Sequence, residues 1–428
     1  MKRRVVVTGM SVVTPLGDSL DAFLGGLLAG RSAISRWRFF DDPRVYSKVG
    51  GDLSDWDWKG RLASFDRRLP DALVAKARKL LRPAPFATRI SVLTALEAWH
   101  HAGLSVPGAA EPTRVAAVLA GHNLNEHYLL RNHETFVTSE PDWIDAQSAL
   151  LSLDTDHAAS IGDVLGAQGA CYTLGGACAS ANIALRAAMD EIRYHEHDVA
   201  VLTGAPLEFS PMGLHAMALL GAITTQSFND TPERASRPYD VHREGFVPTH
   251  GSGTLILESL EHATARGATV YGELLGCVAT SDANHLPNPS PDGQARTLRR
   301  LFDVAGIAPE EVDFVSAHAT STPQGDLSEL QAIRAAFGRH AERLKLNAPK
   351  SMLGHTCWSA PVVETVAALL QARAGMLHPS INIDEMDPAV DLDVCAGSAT
   401  PHAVRTFVKN AFGFGGLNCC AAWRISAA

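Results

Sequence analysis

The chain has 428 residues, of which 46% are hydrophobic and 19% charged, and a formal net charge of −9 at pH 7. That length supports a large core in two similar-sized lobes. The acid excess argues against nucleic-acid binding, and no apolar run is long enough to span a bilayer.

Met1 to Met10 is basic and then briefly apolar, and Thr8-Gly9 interrupts it too early for a signal peptide, so Val5-Val6-Val7 reads as a buried first strand. A basic run follows: Arg67, Arg68, Lys76, Arg78, Lys79, Arg82 and Arg89, with Asp71 the only acid among them. Such a run is ordinarily a solvated helix face, and on an acidic protein it also suits an acidic partner. Residues 87–102 and 178–195 carry helical patterns, and 115–120, 199–203 and 254–257 read as short buried strands. Residues 123–159 have weak periodicity and read as an insertion or cap. From about Gly267 the pattern restarts, with strands expected at 270–275, 312–317, 344–347 and 406–409 and helices at 327–337 and 361–371. The alternation is that of an α/β protein, and the restart suggests an internal duplication. The halves are expected at 1–265 and 266–428.

Three segments carry chemistry. In Gly175-Gly176-Ala177-Cys178-Ala179-Ser180 a glycine pair runs into a small-residue helix start. A thiol there feels the helix dipole and backbone N–H groups, which are expected to lower its pKa. In Ser316-Ala317-His318-Ala319-Thr320 a strand delivers a histidine into a polar loop, where α/β proteins place their sites. In Lys350-Ser351-Met352-Leu353-Gly354-His355-Thr356 a lysine and a histidine again lie between a strand and a helix. One cysteine usually just packs, and one histidine is usually structural. Three such groups, each at a strand-to-helix junction, point to a thiol nucleophile with two imidazole partners.

These segments, with Val5-Val6-Val7-Thr8-Gly9, Arg237-Pro238-Tyr239-Asp240, Arg243-Glu244-Gly245-Phe246 and Asn410-Ala411-Phe412-Gly413-Phe414-Gly415-Gly416, resemble the β-ketoacyl synthase family of condensing enzymes over nearly the whole length. The resemblance implies a thiolase-like fold: two βαβαβαββ halves stacked as five αβαβα layers, working as a homodimer. Cys178 would accept an acyl group from an acyl carrier protein. His318 and His355 would donate hydrogen bonds to a malonyl thioester oxygen as CO2 leaves, with Lys350 holding their electrostatics. The backbone N–H groups of Cys178 and Phe414 would form an oxyanion hole, with Phe414 as gate and Thr320, Thr322, Trp358 and Phe412 in the pocket. The basic run falls where the family carries a helix near the carrier-protein entrance, so Arg78, Lys79 and Arg82 become docking candidates for that acidic partner. The implied reaction is decarboxylative condensation in polyketide or fatty-acid assembly.

Departures from the family pattern occur at Gly121-His122-Asn123, Pro248-Thr249-His250, Ala319 and Cys357-Trp358-Ser359. They suggest a specialised polyketide-pathway member with an unusual acyl pocket. They also open a narrower reading as a malonyl-carrier-protein decarboxylase, and a non-catalytic partner subunit is a third. Cys178 counts against both, because such members generally lack the nucleophile. A degradative thiolase needs a second cysteine in another Gly-rich setting, and Cys419-Cys420 read instead as core. No cofactor motif or metal-ligand spacing is visible among the 18 histidines.

Overall fold

The computed structural model describes residues 2–426. Ten strands form its central sheet: β1 (Val5–Val13), β2 (Val115–Ala120), β3 (Cys171–Leu174), β4 (Val199–Gly204), β5 (Ser252–Ser259), β6 (Gly272–Ser281), β7 (Phe314–Ser316), β8 (Lys345–Asn347), β9 (Thr406–Gly413) and β10 (Leu417–Ile425). Their order is β8-β7-β9-β10-β6-β1-β5-β4-β2-β3. Read outward from the centre, the first five strands run β1-β5-β4-β2-β3 and the second five β6-β10-β9-β7-β8, the same succession twice. Directions repeat as well: the second strand of each set is parallel to the third and fourth, and the fifth is antiparallel to the fourth and first. The two sets join at β1 and β6 through only three pairs, Val5 to Val7 against Gly272 to Leu274.

Parallel pairs require helical crossovers, and six helices supply them. They are α1 (Phe86–His101), α2 (Asp154–Leu165), α3 (Ser180–Tyr194), α4 (Pro291–Ala305), α5 (Pro323–Phe337) and α6 (Ala360–Ala374). Helices α1 and α2 bury Leu93, Leu96, Ile161 and Val164 against the outer face of the first set. Helices α4 and α5 bury Leu298, Leu301, Leu330 and Ile333 against the second. Between the sets lie α3 and α6, whose Ala184, Leu185, Val363, Val366 and Ala367 share one core. The result is five layers, αβαβα. Its middle-layer helix α6 is buried on nearly every face, because a sheet covers it on both sides.

Some elements differ from the sequence expectation. β1 runs through Thr8-Gly9 to Val13, with its register shifting between Val7 and Gly9. Gly9 does not end the strand; it lets α1 approach, since an added Cβ would meet Ala98 O and Ala102 Cβ at 2.6 Å. Residues 126–138 form a helix of the expected cap, but 154–159 belong to α2. Its acidic first turn, Asp154 and Asp156, obscures the apolar stripe that follows. No helix among the described residues is long and apolar enough to cross a membrane.

Candidate active site

Cys178 sits in the short turn Ala177–Ala179 that joins β3 to α3. Ala177 has φ +47°, which aims the next side chain away from the helix axis. Ser180 Oγ locks the bend, accepting from Gly176 N at 2.9 Å and donating to Ala177 O at 2.6 Å. The β9–β10 turn comes against this bend at Gly413, whose added Cβ would lie 2.9 Å from Gly176 O and 3.2 Å from Cys178 N. That approach requires glycine and brings the Phe414 N–H, with that of Cys178, onto the sulfur. The expected lowering of the thiol pKa is not what results. Burial pushes it up to about 11, outweighing Lys350 and both N–H groups, so the resting group is a thiol.

His355 is 1% exposed. Its Nδ1 accepts the Cys357 N–H at 3.1 Å, which leaves the ring proton on Nε2. That Nε2 has no partner within the protein. His318 lies two residues beyond β7, its ring centroid 5.6 Å from that of His355 at an interplanar angle of 84°. Burial, and then the nearby Lys350, hold both imidazoles well below their usual pKa, so both are neutral at pH 7.

A buried charge cluster underlies these rings, and sequence reasoning found only its Lys350. Lys350 Nζ donates to His318 O at 2.6 Å and pairs with Glu364 at 2.6 Å. Lys409 pairs with the other Glu364 oxygen at 2.5 Å and reaches Ala317 O at 3.2 Å. Glu329 accepts His318 N, Ala319 N and Asn410 Nδ2, each at 2.8 Å. Two lysines and two carboxylates thus balance, which makes burial of four charges tolerable. One signal was available: Glu364 is an acid inside the apolar run Pro361 to Leu370. The Arg237 to Phe246 segment braces the same loop. Arg237 N donates to Ser321 Oγ at 3.0 Å, Asp326 accepts Tyr239 N at 3.1 Å, and Arg243 donates to Pro323 O at 3.0 Å. Phe246 lies edge-on to His355, with ring centroids 5.1 Å apart.

Cys178, His318 and His355 line one cavity of about 370 Å³, together with Thr320, Thr322, Phe412 and Phe414. Trp358 is not among its lining residues. It stacks on His122 instead, from the Cys357–Ser359 turn. His250, another departure, is buried against Trp37, Phe86 and Phe209 and accepts the Leu53 N–H. The basic run is partly neutralised internally: Arg78 pairs with Asp66 at 3.0 Å, Lys76 with Asp163 at 2.9 Å and Arg68 with Glu97 at 2.7 Å. Among the described residues Lys79 and Arg82 have no ion pair, and both are exposed.

Residues 2–263 match the family model for the β-ketoacyl synthase N-terminal domain, and residues 271–384 that for its C-terminal domain. The chain is 34% identical to the chloroplastic 3-oxoacyl-[acyl-carrier-protein] synthase I of Arabidopsis thaliana, covering 99% of this chain and 86% of that one. It is 31% identical to a polyketide biosynthesis malonyl-ACP decarboxylase of Bacillus subtilis, covering 97% and 94%. A solved complex of a type II PKS acyl-carrier protein with its ketosynthase matches at a TM-score of 0.85 and 28% identity, over 100% of both chains.

Proposed function

The chain belongs to the β-ketoacyl synthase family of carbon–carbon bond-forming acyltransferases, and from that premise we propose that it condenses an acyl group held on Cys178 with a malonyl unit on a carrier protein. The observation that carries this reading is that the Cys178 thiol, His318 and the unpartnered Nε2–H of His355 share one cavity.

In the first step Cys178 attacks the acyl thioester carbonyl. The carbon–sulfur bond to the carrier breaks, and the Cys178 proton ends on the departing carrier thiol. The transient oxyanion faces the N–H groups of Cys178 and Phe414, donors already fixed in place. Malonyl thioester then enters, its oxygen meeting the two imidazoles. The bond to its carboxylate breaks and CO2 leaves, and the enolate oxygen takes the hydrogen bonds that neutral rings supply without a proton transfer. The enolate carbon attacks the acyl carbonyl, and the Cys178 sulfur leaves as thiolate and takes a proton from solvent. Lys350, Lys409, Glu364 and Glu329 act through the histidines by fixing the loop that holds them. Thr320, Thr322 and Phe412 line the approach, and Phe414, 38% exposed, gates it.

Lys79 and Arg82, with the paired Arg78 beside them, suit an acidic carrier. A homodimer is proposed through β3, which ends the sheet with an unpaired edge. The exposed Leu129, Phe136, Val137 and Trp143 of the cap supply apolar area for such a partner. The halves are read as 1–265 and 266–428, supported by the repeated topology. All seven cysteines are unbridged, in keeping with a reducing, cytoplasmic setting.

Mass spectrometry of the purified protein with acyl- and malonyl-carrier proteins tests the reaction. An acyl adduct on Cys178 with a β-ketoacyl product is expected. Acetyl-carrier protein formed without any adduct would instead assign the decarboxylation that the Bacillus subtilis relative is named for.

A further inference from the structure

The cavity reaches Cys178 from one side, where Leu220, Pro287 and Gln324 form its mouth. The opposite side of the Cys178 turn is filled. His122 lies two residues beyond β2 and covers Gly175, where an added Cβ would meet its ring at 2.9 Å. Trp358 stacks on His122, with ring centroids 4.2 Å apart and planes 27° apart. On the backbone side Trp358 comes within 3.3 Å of where Gly121 would carry a Cβ. Cys357 is 3% exposed, burial drives its thiol far up, and its turn packs against the turn that carries Cys178. Behind Cys357 and Trp358 pack Leu207, Phe209, Leu214 and Met217. None of His122, Cys357 and Trp358 lines the cavity.

We infer that the His122–Trp358 stack, with Cys357, is a chain-length wall that restricts the acyl group on Cys178 to a short one such as acetyl or propionyl. The inference rests on Cys178 being the acyl acceptor. His122 and Trp358 are each half-buried, but rings stacked with centroids 4.2 Å apart leave no gap between them for an alkyl chain, so a longer acyl group would have to part them. Bending back, it would take the volume that the incoming malonyl thioester and its arm must occupy. A hydrophobic site discriminates by roughly 10- to 200-fold per methylene, so a few methylenes against a filled wall suffice to exclude longer chains.

The test loads the purified protein with acetyl- and hexanoyl-carrier protein and follows the Cys178 peptide by mass. Acetyl loading is expected to exceed hexanoyl loading by at least about 100-fold. Trp358→Gly is expected to raise the hexanoyl-to-acetyl ratio at least tenfold. Trp358→Leu, checked for folding by its thermal melt, serves if the glycine variant does not fold. Comparable wild-type loading of both chains, or a ratio unmoved in a folded variant, overturns the wall. If no carrier delivers any acyl group, the acceptor reading itself has failed. The wall is then read directly with methyl and octyl methanethiosulfonate. Each forms a disulfide with Cys178 and expels methanesulfinate. Modification by the methyl reagent alone supports the wall, and equal modification by both overturns it.

Discussion

The turns that open the two middle-layer helices share one backbone and carry opposite side chains. Ala177–Ala179 begins with φ +47° and leads into α3; Cys357–Ser359 begins with φ +50° and leads into α6. The central residue is Cys178 in one and Trp358 in the other. The comparison extends to the loops beyond β2 and β7, which present His122 and His318, each two residues past its strand. Each loop is clamped by a carboxylate from the helix that follows. Asp154 accepts Asn123 N and Leu124 N at 2.8 and 2.9 Å, as Glu329 accepts His318 N and Ala319 N. The scaffold is therefore duplicated and the chemistry is not. Cys178 meets donors from the second half, while Trp358 and His122 stack on each other and fill space. A residue held at positive φ costs on the order of 1–3 kcal/mol. The duplicated frame meets that cost at Ala177 and Cys357, and again at Ser321 with φ +68°.

The asymmetry predicts large effects on one side and small ones on the other. Cys178→Ala is expected to lower condensation by more than about 10³-fold, since the covalent step is lost. Residual turnover near wild type, followed by product mass, would remove the thiol from the reaction. His355→Ala removes one donor to the enolate oxygen and is expected to slow release of CO2 from malonyl-carrier protein by about 10²–10³-fold. Position 364 separates the two middle helices as well, because α3 has Ala184, fully buried, where α6 has the charged Glu364. Glu364→Gln leaves Lys350 and Lys409 buried without their shared acid. A loss of about 3–5 kcal/mol in denaturant unfolding is expected, and an unchanged midpoint would show that the cluster does not hold the site.

Acid stability separates the clamping helices α2 and α5. His157 on α2 is fully buried with neither ring nitrogen partnered, and burial lowers its pKa to about 3. Unfolding lets it bind a proton between its ordinary value of 6.5 and about 3. Stability is therefore complete above pH 6.5 and falls as pH drops through that window, by about 1.4 kcal/mol per unit from this group. His157→Leu is expected to flatten that slope in unfolding curves taken at pH 4 to 7, and an unaltered slope would refute the assignment. The smallest effect is expected at the surface. Lys79→Glu with Arg82→Glu is expected to raise the KM for carrier protein several-fold at low salt, with kcat unchanged and the difference fading as salt is added.

Much of the site was legible because its residues sit in short segments whose local grammar is strong. A glycine pair before a small-residue helix marked Cys178, and strand-to-loop junctions marked His318 and His355. The supporting charges were hidden for a physical reason. Glu329 and Lys409 lie in ordinary helix and strand positions, and only their neighbours across the fold distinguish a buried ion cluster from a solvated face; Glu364 alone stood out, as an acid inside an apolar run. Trp358 was read as pocket because a bulky ring stands where the resembled family has small residues after His355-Thr356; it stacks on His122, a partner far away in the chain, and does not line the cavity. Arg78 was read as a docking candidate, and its ion pair with Asp66 depends on how two segments meet.

By itself the sequence determined the α/β class, the doubled rhythm of strands and helices, and the identity of the thiol and two imidazoles, since periodicity and turn chemistry are local properties. Tertiary structure alone decided that burial keeps Cys178 a thiol, that His355 presents a free Nε2–H, and that Trp358 and His122 close the space behind the sulfur. Solvent exclusion, ring tautomer and cavity shape arise from groups far apart in the chain, and they exist only once the layers have packed.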